Sequence, residues 1–310
     1  MKRTNSQGFL VRYQYPQRLS QWRETFASQF KPIKPAQDPL EPFMTVTDDV
    51  LTVRDARHGL RFAYLLPLVV GLWILSFLFI GDLGPSTAQI SFAKTVSQLD
   101  EHDRDGLNSE YFEAMLGENG DGTFINYITA VIKYGPENYK EHVYFKLIIA
   151  LSVSFLAVLA TVFFIKSPKP AHIYFDRKRG LVYTWFFGRL AACRFENLGF
   201  LERKTGLLLY LYCENKKRKG GYDVFPVTVQ PTGKVHLNSE RDNNYFFAQV
   251  FNFMDNGKSA VITGKSFHRP ESKTYFFIDK RPELFEERLE KLLEHEHVLP
   301  DLYENLKVVN

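Results

Sequence analysis

The chain has 310 residues, a net charge of +4 at pH 7 and 45% hydrophobic residues, with 28 Phe and 16 Tyr among them. This composition excludes an intrinsically disordered protein, because so much apolar and aromatic surface favours burial in a core. About 145 residues follow the second of two long apolar runs, which is enough for one domain with its own core.

The first 59 residues are predicted to form a cytoplasmic arm that carries one hairpin. Five prolines, which break regular structure, indicate that residues 1–42 are extended. Met44–Val53 then alternates apolar and polar residues about Asp48 and Asp49, a pattern typical of a small β-hairpin. This hairpin is a candidate for extra strands of the later domain. The prolines are Pro16, Pro32, Pro35, Pro39 and Pro42.

Two apolar runs, Phe62–Ile80 and Leu147–Ile165, each hold 19 residues without a formal charge. A helix of that length extends roughly 28 Å, close to the thickness of a hydrocarbon core. We therefore expect transmembrane helices at residues 60–81 and 146–166. The first run begins too late and is too long for a cleaved signal peptide. Neither run has the ionisable side chains that ion and proton paths need, so transport is disfavoured.

The charges that flank the runs predict the orientation. Arg54, Arg57 and Arg61 precede the first run, and Lys166 and Lys169 follow the second. The 66-residue loop between the runs holds eleven acidic and only five basic residues. Because cationic flanks stay in the cytoplasm, we expect both termini to be cytoplasmic and the acidic loop to lie on the other side of the membrane.

The acidic loop, residues 82–145, is predicted to be partly helical. Glu110–Leu116 and Phe124–Lys133 have apolar residues at helical spacing. An EF-hand reading of the first half fails, because Phe112 stands where a bidentate Glu is needed, and a solvated acidic turn is favoured over a calcium site. The acidic side chains are candidates for contact with a basic partner, namely Asp100, Glu101, Asp103 and Asp105.

Residues 170–262 are predicted to form a cytoplasmic β-rich domain. An amphipathic helix, Asn244–Asn256, closes it and stops at Gly257. Antiparallel strands followed by one such helix fit a pleckstrin-homology-like barrel or a related α+β sandwich, so the expected fold class is membrane-anchored α+β. Cys193 and Cys213 are expected to be reduced thiols. The predicted strands are His172–Phe175, Leu181–Phe186, Leu198–Arg203, Leu207–Cys213 and Tyr222–Val229.

The C-terminal segment, residues 263–310, is predicted to contain a strand and a helix. The strand is Thr274–Ile278, and the helix is Pro282–His295, with Pro282 in its first turn. The apolar stripe of this helix is expected to dock on the β-rich domain. The stripe consists of Phe285, Leu289, Leu292 and Leu293.

Two basic clusters are candidates for contact with anionic lipid or a protein partner, and solvated hairpin turns are the alternative. The first follows the second apolar run by only a dozen residues, which makes lipid contact natural there. No nucleic-acid partner is expected. The candidate residues are Arg177, Lys178, Arg179, Trp185, Lys216, Lys217, Arg218 and Lys219.

No motif with catalytic chemistry is complete. Gly257-Lys258-Ser259 and Gly264-Lys265-Ser266 resemble the end of a phosphate loop, but both lack the glycine five residues earlier. His295 and His297 have no distant Cys or His pair to complete a metal site. We therefore expect a protein that is not an enzyme and that has no catalytic residue, cofactor or metal.

The stretch His172–Trp185 directly after the second apolar run, and the helix about sixty residues later, resemble a family of bacterial two-span membrane proteins. Members often have F-[ND]-R-x-R-x-x-V-Y early in the cytoplasmic domain and a closing helix that ends in an aromatic residue, Met, an acid and Gly. Where the family often has Trp in that helix, this chain has Phe. The resemblance covers residues 45–260. The matching residues are Phe175, Asp176, Arg177, Arg179, Val182, Tyr183, Phe251, Met254 and Gly257.

Members of that family tend to be encoded beside type VI secretion effectors and are suspected immunity or accessory proteins. The resemblance implies a non-enzymatic immunity protein of the bacterial inner membrane, with a periplasmic loop, that binds and neutralises a protein toxin. The cytoplasmic domain is the favoured binding surface, because it is the larger folded one, and the acidic loop is its rival. The alternative is a membrane-anchored adaptor that binds lipid headgroups or secretion components. An enzyme acting at the membrane is the third hypothesis. The expected partners are the toxin, the phospholipid bilayer and, as an open alternative, a second copy of the chain.

Overall fold

The computed structural model describes residues 16–29, 33–100, 106–203, 206–215, 221–234, 238–271 and 274–298. The chain divides into a large unit, residues 1–63 and 165–310, and a small unit, residues 64–164. The large unit combines helices with one antiparallel sheet, and the small unit is helical. This confirms the α+β class.

The sheet of the large unit has ten strands in the order β1-β7-β8-β6-β5-β4-β3-β2-β10, and β9 pairs with β8 outside this path. The expected strands of the β-rich domain are present with small shifts of their ends, and β6 is an additional one. Their bounds are β1 Gln17–Arg18, β2 Phe43–Val46, β3 Val50–Val53, β4 Ile173–Asp176, β5 Leu181–Phe186, β6 Arg189–Arg194, β7 Gly199–Arg203, β8 Gly206–Asn215, β9 Gly221–Val229 and β10 Phe267–His268.

The predicted hairpin forms as β2 and β3, and it extends the sheet of the later domain. β3 lies antiparallel to β4, with Val50 opposite Asp176 and Val53 opposite Ile173. The turn between β2 and β3 is also bonded to the end of β4, because the amide of Arg177 donates to the carbonyl of Asp49 at 2.7 Å. The core of the sheet therefore combines residues that precede the first apolar run with residues that follow the second.

The expectation of an extended N-terminal arm is wrong for residues 16–29. After β1 and a 3₁₀ turn, Leu19–Trp22, the chain forms helix α1, Arg23–Gln29. Phe26 is fully buried and packs on Phe200 and Phe247, at ring-centroid distances of 6.0 and 5.0 Å. No proline lies between Pro16 and Pro32, so this stretch is free to form a helix.

The helix that closes the sheet, α8 (Glu240–Asn256), begins four residues earlier than predicted and carries a capping box in which Ser239 and Asp242 bond each other's backbone amides. It ends at Gly257, whose φ of +75° suits glycine. Its apolar face is buried in the core as expected, with Phe246, Phe247, Val250 and Phe251 at most 2% exposed. Lys258–Ala260 follows as a 3₁₀ turn.

The C-terminal helix, α9 (Phe285–Glu294), docks on the sheet through Phe285, Leu289 and Leu292, as predicted. It starts at Phe285 instead of Pro282, because Leu284 has a left-handed backbone conformation and cannot lie within a right-handed helix. The predicted strand Thr274–Ile278 is wrong, since this segment makes only an isolated bridge between Ile278 and Lys169. Short 3₁₀ turns lie at Phe195–Asn197 and Glu296–Val298.

The two apolar runs lie in helices that are long and apolar enough to cross a membrane. The first is continuous from Arg57 to Gly81 and consists of α2 (Arg57–Leu60), a π-helical turn (Arg61–Leu65) and α3 (Leu66–Gly81). The second is α7, Glu137–Lys166. Only 11% of each apolar window is buried within the structure, so most of its residues are at least partly exposed.

The loop between these helices folds as three further helices, α4 (Thr87–Gln98), α5 (Ser109–Leu116) and α6 (Phe124–Tyr134). The latter two were predicted, and α4 was not. The three helices and the start of α7 share a small core of their own. Its buried members are Ala93, Met115, Leu116, Tyr127, Ala130, Val131 and Val143.

Candidate functional site

A cavity of about 320 Å³ opens in the large unit beside residues that adjoin both apolar helices in sequence. Its walls come from the segment before the first apolar run, from the residues just after α7, and from the loops after β9 and β10. Met44 and Phe62 line the cavity together with eight polar or charged side chains. Those polar groups are Arg54, Asp55, His58, Lys169, His172, Gln230, Glu271 and Tyr275.

Glu271 connects two of these groups. One carboxylate oxygen lies 2.6 Å from Nε2 of His172, and the other forms a salt bridge with Lys169. Burial lowers the pKa of the Lys169 ammonium. Nδ1 of His172 is buried and has no hydrogen-bond partner among the described residues. Because this nitrogen is not exposed to solvent, its unused hydrogen-bonding capacity is enclosed within the cavity wall.

His58 is held by two hydrogen bonds that define its tautomer. Nε2 lies 3.2 Å from the carbonyl of Pro170, which can only accept, so Nε2 carries the proton. Nδ1 then accepts from the hydroxyl of Tyr275 at 3.2 Å. Burial lowers the pKa of His58 to about 4. Burial, with the charge of nearby cations, likewise lowers the pKa of His172, so both rings are neutral at pH 7.

The segment before the first apolar helix is fixed by Asp55, which is 1% exposed. Its carboxylate accepts from the backbone amide and the guanidinium of Arg57 at 2.8 and 2.9 Å. The Arg57 guanidinium also lies 4.3 Å from the ring of Phe186. This clamp joins the chain to β5 and sets the position of His58 three residues beyond Asp55.

The cavity presents donors, acceptors and charges of both signs, and on its wall the Tyr275 hydroxyl donates to Nδ1 of His58. Such a lining suits binding of a small polar or zwitterionic group. Among the described residues, no group of three or more His, Cys, Asp and Glu side chains could hold a metal ion. Sequence reasoning missed His58 and His172, because single histidines in non-consecutive segments form no motif.

The first predicted basic cluster lies in the exposed turn between β4 and β5. Arg179 forms salt bridges with Asp176 and Glu286, at 2.7 and 2.8 Å, so its charge is largely compensated within the protein. The Arg177 guanidinium donates to the carbonyl of Asp255 at 3.4 Å. Lys178 is exposed without an ion pair among the described residues. Among the described residues, this turn therefore has an anionic partner for Arg179 and none for Arg177 or Lys178.

Trp185 does not suit the contact role predicted for it, because it is only 8% exposed. Its indole stacks on Tyr174 at 5.2 Å and donates to the carbonyl of Asp279 at 2.8 Å. Asp100 is exposed. The other candidates lie outside the described residues, namely Glu101, Asp103, Asp105, Lys216, Lys217, Arg218 and Lys219.

The two cysteines, Cys193 and Cys213, are buried and free. Burial raises the pKa of both thiols, to about 12 for Cys213. Because the thiolate is the reactive form, neither side chain is a nucleophile at neutral pH.

A scan against protein-family models finds no match, and searches of the curated proteins and of the solved structures likewise find none. The resemblance to the two-span family therefore stays a prediction.

Proposed function

We propose that this protein is a membrane-anchored adaptor whose large unit holds a phospholipid headgroup at the membrane surface. The observation that carries the proposal is the pairing of β3 with β4, which joins the flanks of both apolar helices in one sheet. A chain that crosses a bilayer twice brings these flanks to the same side, as the pairing requires. The cationic residues of both flanks favour the cytoplasmic side of the inner membrane.

The headgroup assignment rests on the cavity. Its lining adjoins both apolar helices in sequence, since Phe62 begins the first run and Lys169 follows α7 by three residues. Lys169 and Glu271 form a salt bridge with each other on the cavity wall, and they can exchange it for the phosphate and the ammonium of a zwitterionic headgroup such as phosphatidylethanolamine. An antiparallel sheet closed by α8 is compatible with a pleckstrin-homology-like domain, and binding without catalysis is the role we assign to it.

The proposal is tested by native mass spectrometry of the full-length protein, extracted from phosphatidylethanolamine-rich membrane in mild detergent. We expect one co-purifying phospholipid for the wild type and for Lys178→Ala, which removes an exposed cation elsewhere. The variant Lys169→Met with Glu271→Gln should lose it. Equal lipid retention by this variant would contradict headgroup binding in the cavity.

A second proposal, neutralisation of a delivered protein toxin, is favoured by the folded acidic loop. The loop has its own core and an apolar cavity of about 330 Å³, lined by Phe92, Tyr111, Phe112 and Met115 among others. An apolar cavity in an acidic surface suits a basic protein partner, because charge steers the encounter and apolar contact retains it.

Affinity purification after co-expression with the neighbouring genes tests this second proposal. A stoichiometric partner that Phe92→Ser releases and Lys178→Ala retains would support binding at the loop. Recovery of lipid alone would contradict it. A chain truncated after Ser167 would also separate the loop from the cytoplasmic domain, but it would lack β4 and leave β3 without its partner strand. Point variants avoid this damage to the fold.

A further inference from the structure

Four large apolar side chains of the large unit form an exposed surface, here called the apolar patch. Phe276, Phe277 and Ile278 are 71%, 51% and 65% exposed, and Phe187, in the turn between β5 and β6, is 54% exposed. Scattered apolar residues are ordinary on a protein surface, but consecutive ones mark an interaction site.

The apolar patch is held in place by Asp279, which is itself buried. Its carboxylate accepts from the amide of Phe187 at 2.8 Å, and its carbonyl accepts from the indole of Trp185 at the same distance. Phe187 also has a left-handed backbone, with φ of +47°, which disfavours a bulky side chain. The fold thus presents Phe187 outward against its own backbone preference.

The patch is tied to the chain that leaves the second apolar helix. The amide of Lys169 donates to the carbonyl of Phe277 at 2.8 Å, and the amide of Asp279 donates to the carbonyl of Lys169 at 3.0 Å. Lys169 is three residues beyond Lys166, the last residue of α7, so the connection spans at most about 11 Å. Pro168 and Pro170 restrict the backbone of this connection.

The segment is also tied to the chain that enters the first apolar helix. The Arg61 guanidinium lies 4.0 Å from the ring centroid of Tyr275 and donates to the carbonyl of Thr274 at 3.3 Å. The ring of Phe62 meets Tyr275 edge-on at 6.4 Å. Residues 274–279 therefore connect the ends of both apolar runs.

We propose that the apolar patch inserts into the interfacial layer of the same bilayer that the two apolar helices cross. This rests on the membrane-anchor proposal above. The bilayer is the apolar environment nearest to the patch, because hydrogen bonds hold the patch beside Arg61, which precedes the first apolar run, and Lys169, which follows the second apolar helix. The exposed cations Lys280, two residues beyond Ile278, and Lys166, at the end of α7, suit anionic headgroups. The large unit would then be fixed against the membrane instead of moving freely on two tethers.

The test uses the full-length protein in vesicles of phosphatidylethanolamine and phosphatidylglycerol. Cysteines are introduced singly by Phe277→Cys, Lys178→Cys and Val158→Cys and labelled with an environment-sensitive fluorophore. Cys193 and Cys213 are buried, and the labelled wild type measures their background. Lys178 is the exposed control outside the patch, and Val158 reports on the second apolar helix itself. Quenchers attached to the lipid chain or dissolved in water then locate each label.

We expect the label at Phe277 to emit at shorter wavelength than that at Lys178 and to be quenched from the lipid, as the label at Val158 is. If water-borne iodide quenches Phe277 as fully as Lys178, the patch is not inserted. If neither quencher reaches Phe277, a protein surface covers it and the lipid assignment is wrong. A label at Val158 that is not quenched from the lipid would contradict the membrane-anchor proposal. Failure of that proposal is thus distinguished from failure of the patch insertion alone.

Discussion

The rings of His58 and His172 stack on each other, with centroids 5.3 Å apart and planes inclined by 25°. In sequence they stand on opposite sides of both apolar helices, and in the fold they share one wall of the cavity. Burial disfavours the charged form of either ring and lowers the pKa of both, and protonation of both rings would add repulsion between two charges in contact.

Acidification should therefore destabilise the large unit. The pKa of His58 is about 4 in the folded protein, against about 6.5 when unfolded, so the unfolded state binds the proton first. The stabilising contribution is complete above pH 6.5 and is lost as the pH falls toward 4, by about 2–3 kcal/mol. Thermal unfolding of the full chain in detergent between pH 7.5 and 4.5 measures this loss.

The matched variant for that measurement is His58→Gln, which keeps a polar side chain and removes the titration. Its melting temperature should change less over the same pH range than that of the wild type. Parallel curves for the two proteins would show that His58 is not the group responsible.

Removal of the Phe26 ring should destabilise the fold, although sequence reasoning placed this residue in an extended arm. Phe26 is fully buried against Phe200, Phe247 and Phe251. Phe26→Ala should cost about 3–5 kcal/mol and lower the melting temperature by about 10 °C. Glu24→Ala, on the exposed side of α1, is the control and should melt with the wild type. An unchanged midpoint for Phe26→Ala would mean that α1 does not contribute to the core.

Arg288 should anchor α9 to the sheet. Its guanidinium donates to the Glu214 carboxylate at 2.7 Å and to the Gly188 carbonyl at the same distance. Arg288→Met should destabilise the protein by about 1–2 kcal/mol, because the Glu214 carboxylate loses its partner in a half-buried site. Lys291→Met removes an exposed pair on the same helix and should leave the melting temperature unchanged. Equal effects of the two changes would contradict an anchoring role.

The pairing of β3 with β4 can be captured by a disulfide. Thr52 and Tyr174 are direct antiparallel partners, and such pairs lie within bonding distance for two cysteines. After oxidation of Thr52→Cys with Tyr174→Cys, cleavage at a protease site inserted in Gly117–Gly122 should leave the fragments joined on a non-reducing gel. The pair Thr52→Cys with Lys178→Cys should separate. Separation of both pairs would show that the flanks do not share a sheet.

Local patterns were sufficient for part of the fold. The β2–β3 hairpin and α8 were predicted, because alternation and amphipathic spacing each act within a dozen residues. β6 was missed since its central residues, Ala191, Ala192 and Cys193, are small and its turn has no Asn-Gly or Asp-Gly signal; instead Phe187 and Gly188 adopt positive φ there. The exposed run Phe276–Ile278 was taken for a strand, because an apolar run does not reveal whether a neighbour covers it.

The candidate site could not be predicted, because its residues meet only through long-range pairing. His58 and His172 come together because β3 and β4 pair and because Pro170 accepts a hydrogen bond. No spacing rule connects positions so far apart along the chain. The basic turn Arg177–Arg179 was visible in the sequence, yet the salt bridge between Arg179 and Glu286 depends on where α9 docks.

The sheet that joins both flanks also sets an order of events during synthesis. Val53 leaves the ribosome early, but its partner Ile173 follows only after both apolar helices and the loop between them have been made. At about 5–20 residues per second, β3 waits on the order of ten seconds with an unpaired edge. If the two helices cross the bilayer as proposed, insertion precedes completion of the sheet, and a nascent chain whose second helix fails to insert keeps an open strand that other chains can bind.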